Sequence, residues 1–236
     1  MLFRCPGPRT QRGYEVTAAA PRKPERNSRP GPSSRGALRG SVAGKTAERR
    51  AELAEAALQT LSTLGYARTS LREIAQNSVF SHGVLHYYFT DKVDLITCCV
   101  RQYKARCVTR YDQITADATS YDDFERGFLA SLAQTVRDEA PMHRLWYDLR
   151  SQSMFEESLR EAVLQIDQTL EDMIWRVVGT YAELAGREPA MTPHVAYGLL
   201  DGLFQQALLG YLCDREGVLD DLRAQVHRLM PVLLAP

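Results

Sequence analysis

His82, Gly83, Val84, His86 and Tyr87 bring two imidazoles, a phenol, a methyl-bearing side chain and a bare backbone position into one short run. Imidazole and phenol groups both donate and accept hydrogen bonds, and glycine lets another backbone come close. On a helix these residues point away from Leu85 and Phe89, which stand one turn apart and face a core. Such an outer face suits the floor of a DNA groove. His82, Val84 and His86 would meet base edges or a thymine methyl, while Ser81, Gly83 and Tyr87 would fix position on phosphates.

The elements that must hold this face are marked by capping signals. Ser70 followed by Glu73 is a capping box, which starts a helix at Leu71 and places Ser70 at the mouth of the same face. Gln76, Asn77 and Ser78 suit its end, because their side chains compete for backbone groups. Ser81 is a second N-cap, with Phe80 before it able to staple onto Leu85. Helix, three-residue turn, helix over residues 70–89 is the layout of a helix-turn-helix, whose second helix enters the major groove by its N-terminal residues. Before it, Ala54, Ala57, Leu58, Leu61 and Leu64 form one apolar stripe on a helix expected over 43–64 and capped by Gly65. Lys45, Arg49 and Arg50 near its start are further candidates for phosphate. After the motif, Thr90 is the expected N-cap of a helix with Asp91 in its first turn.

The run IAQNSVFSHGVLHYYFTDKVDL resembles the DNA-binding segment of TetR-type regulators, commonly I-A-x-x-A-G-V-S-x-G-T-L-Y-Y-H-F-x-S-K-E-x-L. Ile74, Ala75, Ser81, Gly83, Leu85, Tyr87, Phe89, Lys92 and Leu95 match in register. The resemblance covers about residues 45–105. It implies a phosphate contact from Lys92, a homodimer, a palindromic operator in double-stranded DNA, and a small-molecule effector. The His-Tyr-Tyr-Phe ending is similar to the choline- and betaine-responsive branch of the family, without assigning an effector. Two departures stand out. Val79-Phe80 replaces the usual Gly-Val of the turn, and His86 replaces the first Tyr, putting a side chain able to change charge near neutral pH on the outer face.

The chain has 236 residues with 29 Lys and Arg against 29 Asp and Glu. That neutrality hides a division: residues 1–40 carry nine basic and two acidic residues, so the remainder is acidic. Residues 1–42, rich in Pro, Gly, Arg and Ser, are expected to be a disordered basic tail. Residues 43–105 are expected to form the DNA-binding domain, and 106–236 a larger helical domain for effector binding and dimerisation. The fold class is all-α. Candidate helices there span 121–138, 141–154, 156–185, 193–213 and 218–234, separated at Pro141, at Gly186 with Pro189 and Pro193, and at Gly217.

Met142, His143, Trp146, Tyr147, Arg150 and Trp175 gather the aromatic and polar groups suited to an effector pocket, with Arg150 able to grip a carboxylate. Gly198, Gly202, Leu203, Gln206 and Gly210 lie on the helix best suited to pair with a second copy, since interior glycines weaken a helix unless close packing offsets them. Cys98, Cys99 and Cys107 lack the spacing of a zinc site and are expected to be buried apolar side chains; neither metal nor cofactor is expected. The sequence lacks a phosphate-binding glycine loop, an HExxH and a Gly-x-Ser-x-Gly elbow, which argues against an enzyme. No apolar run reaches the roughly 20 residues needed to span a bilayer. Five cysteines without regular spacing suit a reducing compartment, so cytoplasm, and the nucleoid when DNA-bound, is the expected location. The competing reading is a helical ligand-binding or scaffold protein without DNA-binding activity, which would leave the polar face of residues 82–87 unused.

Overall fold

The computed structural model describes residues 34–236, with side chains from residue 44 onward, and its contacts gather Ser41–Pro236 into one compact unit. Regular structure among the described residues is helical, with one isolated β-bridge between Pro189 and Leu234. Helix α1 (Ser34–Leu64) begins ahead of the expected Ala43, because after Pro32 no proline interrupts it. Of the tail expected to be disordered over residues 1–42, residues 34–42 are instead helical as the start of α1, and residues 1–33 lie outside the described residues. Leu53, Ala54, Ala57, Leu58 and Leu61 form the buried stripe of α1. Gly65 ends it at φ 76°, its amide donating to the Leu61 carbonyl at 2.8 Å.

Helices α2 (Leu71–Gln76) and α3 (His82–Tyr88) follow the capping signals. The Ser70 hydroxyl accepts the Glu73 amide at 3.2 Å, and the Glu73 carboxylate accepts the Ser70 amide at 2.8 Å. Ser81 accepts the Val84 amide at 3.4 Å. Between the caps, Ser78, Val79 and Phe80 turn the chain without a left-handed residue, so the turn needs no glycine here.

Helix α4 (Lys92–Cys107) is capped by Asp91 and not by Thr90 as expected. The Asp91 carboxylate reaches the Asp94 amide at 2.9 Å, three residues into the cap, while the Thr90 amide turns to the Asp94 carboxylate at 3.1 Å. A short α5 (Asp112–Asp117), which no strong periodicity announced, leads into α6 (Tyr121–Gln152). Helix α6 joins the two helices expected over 121–154, with a kink at Glu139 (φ −125°) just before Pro141, whose ring displaces the preceding turn. Helix α7 (Glu157–Ala185) ends at left-handed Gly186, and α8 (Pro193–Leu212) starts at its proline. Helix α9 (Val218–Leu229) gives way to a 3-10 turn at Met230–Leu233, where Pro231 has no amide to continue it.

Helix α8 packs against α6, α7 and α9, and α6 against α7 and α9, so α6 and α8 form the centre of the body. Phe124, Phe128, Leu145, Trp146 and Leu149 of α6 are fully enclosed there. Helix α4 lies against α7 and α6, which makes one continuous helix the link between the helix-turn-helix and the body.

Candidate nucleic-acid interface and internal cavity

Leu85 is wholly buried and Phe89, just past the helix end, is 1% exposed; together they seat α3 on the core. That seat leaves Ser81, His82, Gly83, His86 and Tyr87 exposed, with Tyr87 at 82%. Open space surrounds the position a Cβ would take at Gly83. Val84 is half-buried against the core, so only part of its side chain remains for an outside contact. The rings of His82 and His86 meet edge to face, their Nε2 atoms 3.1 Å apart. That contact leaves the two Nδ1 atoms for other partners. Ser70 is exposed at the N-terminus of α2, its hydroxyl already accepting the Glu73 amide.

Two clamps, neither announced by the sequence, hold α1 to its neighbours: the first at the end of α3, the second to α4 and α6. Arg50 of α1 donates to the Tyr88 carbonyl at the end of α3 and to both Asp94 oxygens at 3.2 and 2.5 Å. Burial alone would raise the Asp94 carboxyl, but hydrogen bonds from Arg50 and the Thr90 amide hold it below the usual range. The second clamp is Tyr66, just beyond α1. Its amide donates to the Asp148 carboxylate of α6 at 2.6 Å and its hydroxyl to Glu156, while burial and Glu156 push its phenol well up. Lys92 sits on this residue, its ammonium 3.9 Å from the ring centroid and donating to the Tyr66 carbonyl at 3.3 Å. Lys92 is therefore half-buried and held from inside. Arg49 pairs with Glu52 on the surface, and Lys45 is exposed.

A cavity of about 70 Å³ lies within the body among α4, α6, α7 and α8. Of the six expected pocket residues, His143, Trp146 and Tyr147 line it. Met142 lies at a surface groove beside α1 and α4, and Trp175 packs against the core without reaching the cavity. Arg150 is also outside it, tied to Asp201 at 2.5 Å and Asp167 at 3.2 Å, so the carboxylates it grips belong to the chain itself. The residue that composition did not single out is Lys104 of α4, 3% exposed in the cavity wall. Burial pushes its ammonium down to about 8. Its Nζ stands 3.4 Å from His143 Nδ1 and 5.2 Å from the centre of the Trp146 ring.

Cys107, Glu139 and His143 bring ligand-type atoms within 4.8 Å of one another beside this wall. The carboxylate of that group is already held by Arg110, at 2.7 Å from each oxygen, and by the Tyr103 hydroxyl. Cys99 and Cys107 are buried as expected, with the Cys99 thiol on the Ala54 carbonyl at 3.1 Å, while Cys98 is only half-buried and Cys213, at the end of α8, is exposed.

On α8, Gly198 is exposed and nothing lies near the Cβ positions of Gly198 or Gly202, while Gln206 is exposed and Leu203 is half-buried against the core. Gly210 differs from the expectation. A Cβ there would stand 2.8 Å from Val218 Cγ2, so its missing side chain admits α9 of the same chain. Leu199 and Leu209 complete the outer face of α8, at 40% and 64% exposed.

Residues 53–97 match the family model for bacterial regulatory proteins, tetR family. The HTH-type transcriptional regulator BetI of Burkholderia thailandensis is 30% identical over 115 residues, covering 48% of this chain and 58% of that protein. BetI of Paraburkholderia phymatum is 30% identical over 114 residues with the same coverage, so the chain spans 58% of the length of these curated relatives. Among solved structures, a TetR transcription regulator from Haloarcula marismortui superposes with a TM-score of 0.64 at 19% identity, covering 80% of this chain and all of that one. FadR from Bacillus subtilis, solved in complex with stearoyl-CoA, has a TM-score of 0.60 at 16% identity over 75% of this chain and 95% of that one. Residues 53–97 are thus similar to the DNA-binding segment of tetR-family regulators, and the helical chain around them shares its fold with these solved structures.

Proposed function

We propose that this chain is a ligand-responsive DNA-binding transcriptional regulator, acting as a repressor, that binds a palindromic operator as a homodimer and leaves it when a small molecule occupies the cavity. The observation that carries this reading is the exposed polar face of α3, seated on the core by Leu85 and Phe89 and clamped from α1 by Arg50. In this reading residues 43–105 are the DNA-binding part and 106–236 the effector-binding and dimerising part, at work in the cytoplasm and on the nucleoid.

His82, His86 and the exposed part of Val84 meet base edges, while Ser70, Ser81, Gly83 and Tyr87 lie along phosphates. Lys92 contributes less as a free phosphate ligand than as a stay between α4 and Tyr66. Dimerisation uses α7 and the outer face of α8, where Gly198 and Gly202 lack bulk that nothing among the described residues requires them to lack. Two recognition helices related by a twofold axis then require half-sites centred about 10 base pairs apart or a multiple. Helix α4 carries Lys92 at one end and Lys104 twelve positions on, about 18 Å along the axis. A ligand that prefers a different tilt of α4 shifts the population away from the operator-matching spacing.

The test is selection of fragmented genomic DNA by the purified protein at about 0.15 M salt, which screens much of the sequence-independent attraction. A small set of fragments sharing an inverted repeat is expected. A folded dimer that enriches nothing would overturn the regulator reading in favour of a ligand-binding protein without DNA activity. In the same assay Tyr87→Ala should weaken binding roughly tenfold on operator and on scrambled DNA alike, the loss expected for one charge-assisted hydrogen bond. A changed base preference would refute its assignment to phosphate.

A further inference from the structure

The polar side chains in and beside the cavity wall differ in how they are paired. Both oxygens of Glu139 accept from Arg110, and the Asp201 oxygens accept from the Tyr147 hydroxyl at 2.8 Å and from Arg150 at 2.5 Å. Thr135 accepts from Arg110 and donates to the Ser131 carbonyl. The Tyr197 hydroxyl donates to Asp167 at 2.6 Å. Among the described residues, no carboxylate is in salt-bridge contact with buried Lys104, and its recorded hydrogen-bond partner is His143 Nδ1. Burial and the neighbouring Lys104 and Arg110 charges hold His143 neutral, and the ammonium makes Nδ1 the acceptor, so the ring proton sits on Nε2. That Nε2 and the indole Nε1 of Trp146 are both buried without a partner.

Two donors without a partner and a buried cation therefore belong to residues lining one cavity, whose wall carboxylate, Asp201, already holds Tyr147 and Arg150. A buried donor left unmet costs free energy, and an unpaired buried charge costs more, so such a set fits a ligand that brings negative charge and lone pairs. A cationic ligand would face Lys104 with no free carboxylate to offset it. Behind the donors the wall is apolar, formed by Leu132, Leu170, Ile174 and Leu200, which suits a short hydrocarbon chain. We infer that this cavity receives an acidic effector, its carboxylate bound by Lys104 and Trp146 Nε1 and its chain lying along the apolar wall, with His143 holding Lys104 in place through Nδ1. The inference rests on the reading of the cavity as the effector site.

Calorimetric titration of the full-length protein with hexanoate, hexanamide and choline at pH 7 tests it. Hexanoate should bind at least tenfold more tightly than hexanamide, and choline should not bind. Lys104→Met keeps the length of the side chain and should lose hexanoate binding by tenfold or more. Trp146→Phe removes one N–H and should lose several-fold, which keeps the test decisive if the first variant does not fold. Choline or hexanamide binding as well as hexanoate, or unchanged hexanoate binding in both variants, would overturn the carboxylate assignment. Leu200→Trp, which fills the cavity, separates the two levels. Choline or hexanamide binding that it abolishes would sink the inference and leave the cavity as an effector site. Ligand binding that it does not touch, or no binding of any of the three probes, would remove both.

Discussion

Lys104 makes a claim at the scale of one residue that the sequence around it conceals. Its folded value of about 8 lies below the 10.5 of a free lysine, so the unfolded chain binds more protons between those two pH values. The sign follows: the lysine lowers stability by an amount that is full below about pH 8 and vanishes above about pH 10.5. Lys104→Met should accordingly be the more stable protein at pH 7, by on the order of 3 kcal/mol, with the gap to wild type closing as pH rises. Urea melts of the two proteins at pH 7 and pH 10 check this; a gap that stays constant would contradict it. Gly65 offers a second single-residue test. At φ 76° and with a Cβ position 3.0 Å from the Asp148 carboxylate, Gly65→Ala should cost about 1–2 kcal/mol in the same melts. What was legible and what was not divides along the same line. Ser70 with Glu73, and Leu85 with Phe89, act on neighbours three or four residues away, so their roles show in spacing. Lys104 meets His143 and Tyr66 meets Glu156 across long stretches of chain, and no local pattern encodes such partners. Thr90 and Asp91 are both good caps, and only the geometry shows which one reaches the Asp94 amide.

At the scale of elements, the helices of the body were readable because prolines and glycines separate them, while their faces were not. The kink of α6 at Glu139 shows this, since Pro141 marks the break and the kinked residue's carboxylate meets Arg110 and Tyr103. Helix α8 shows it again. Its glycines look alike in sequence, yet Gly210 admits Val218 while Gly198 and Gly202 face open space. The outer face of α8 therefore belongs to Leu199, Leu209 and the two open glycines, and Leu209→Glu should convert a dimer into a monomer with little change in helix content. Sedimentation equilibrium beside circular dichroism would show it. A dimer persisting at micromolar concentration would place the interface elsewhere.

At the scale of the whole molecule, α4 belongs to two sites at once, with Lys92 against Tyr66 at one end and Lys104 in the cavity wall at the other. On the reading proposed above these are an operator face and an effector site, and any coupling carried by the shared helix is reciprocal by linkage: whatever factor the effector takes from operator affinity, the operator must take from effector affinity. A coupling of typical size is about 5–150-fold. The effector's dissociation constant, measured with and without saturating operator DNA, should differ by the same factor as the operator's with and without effector. Unequal factors would show that a step outside this cycle intervenes. The consequence reaches past the purified protein. On that reading, a regulator parked on its operator is a poorer receptor than the same protein free in solution, so the ligand concentration that switches the gene would exceed the one that half-fills the unbound pool. The sensitivity of the response would then follow the number of copies bound elsewhere on DNA as well as the chemistry of the cavity.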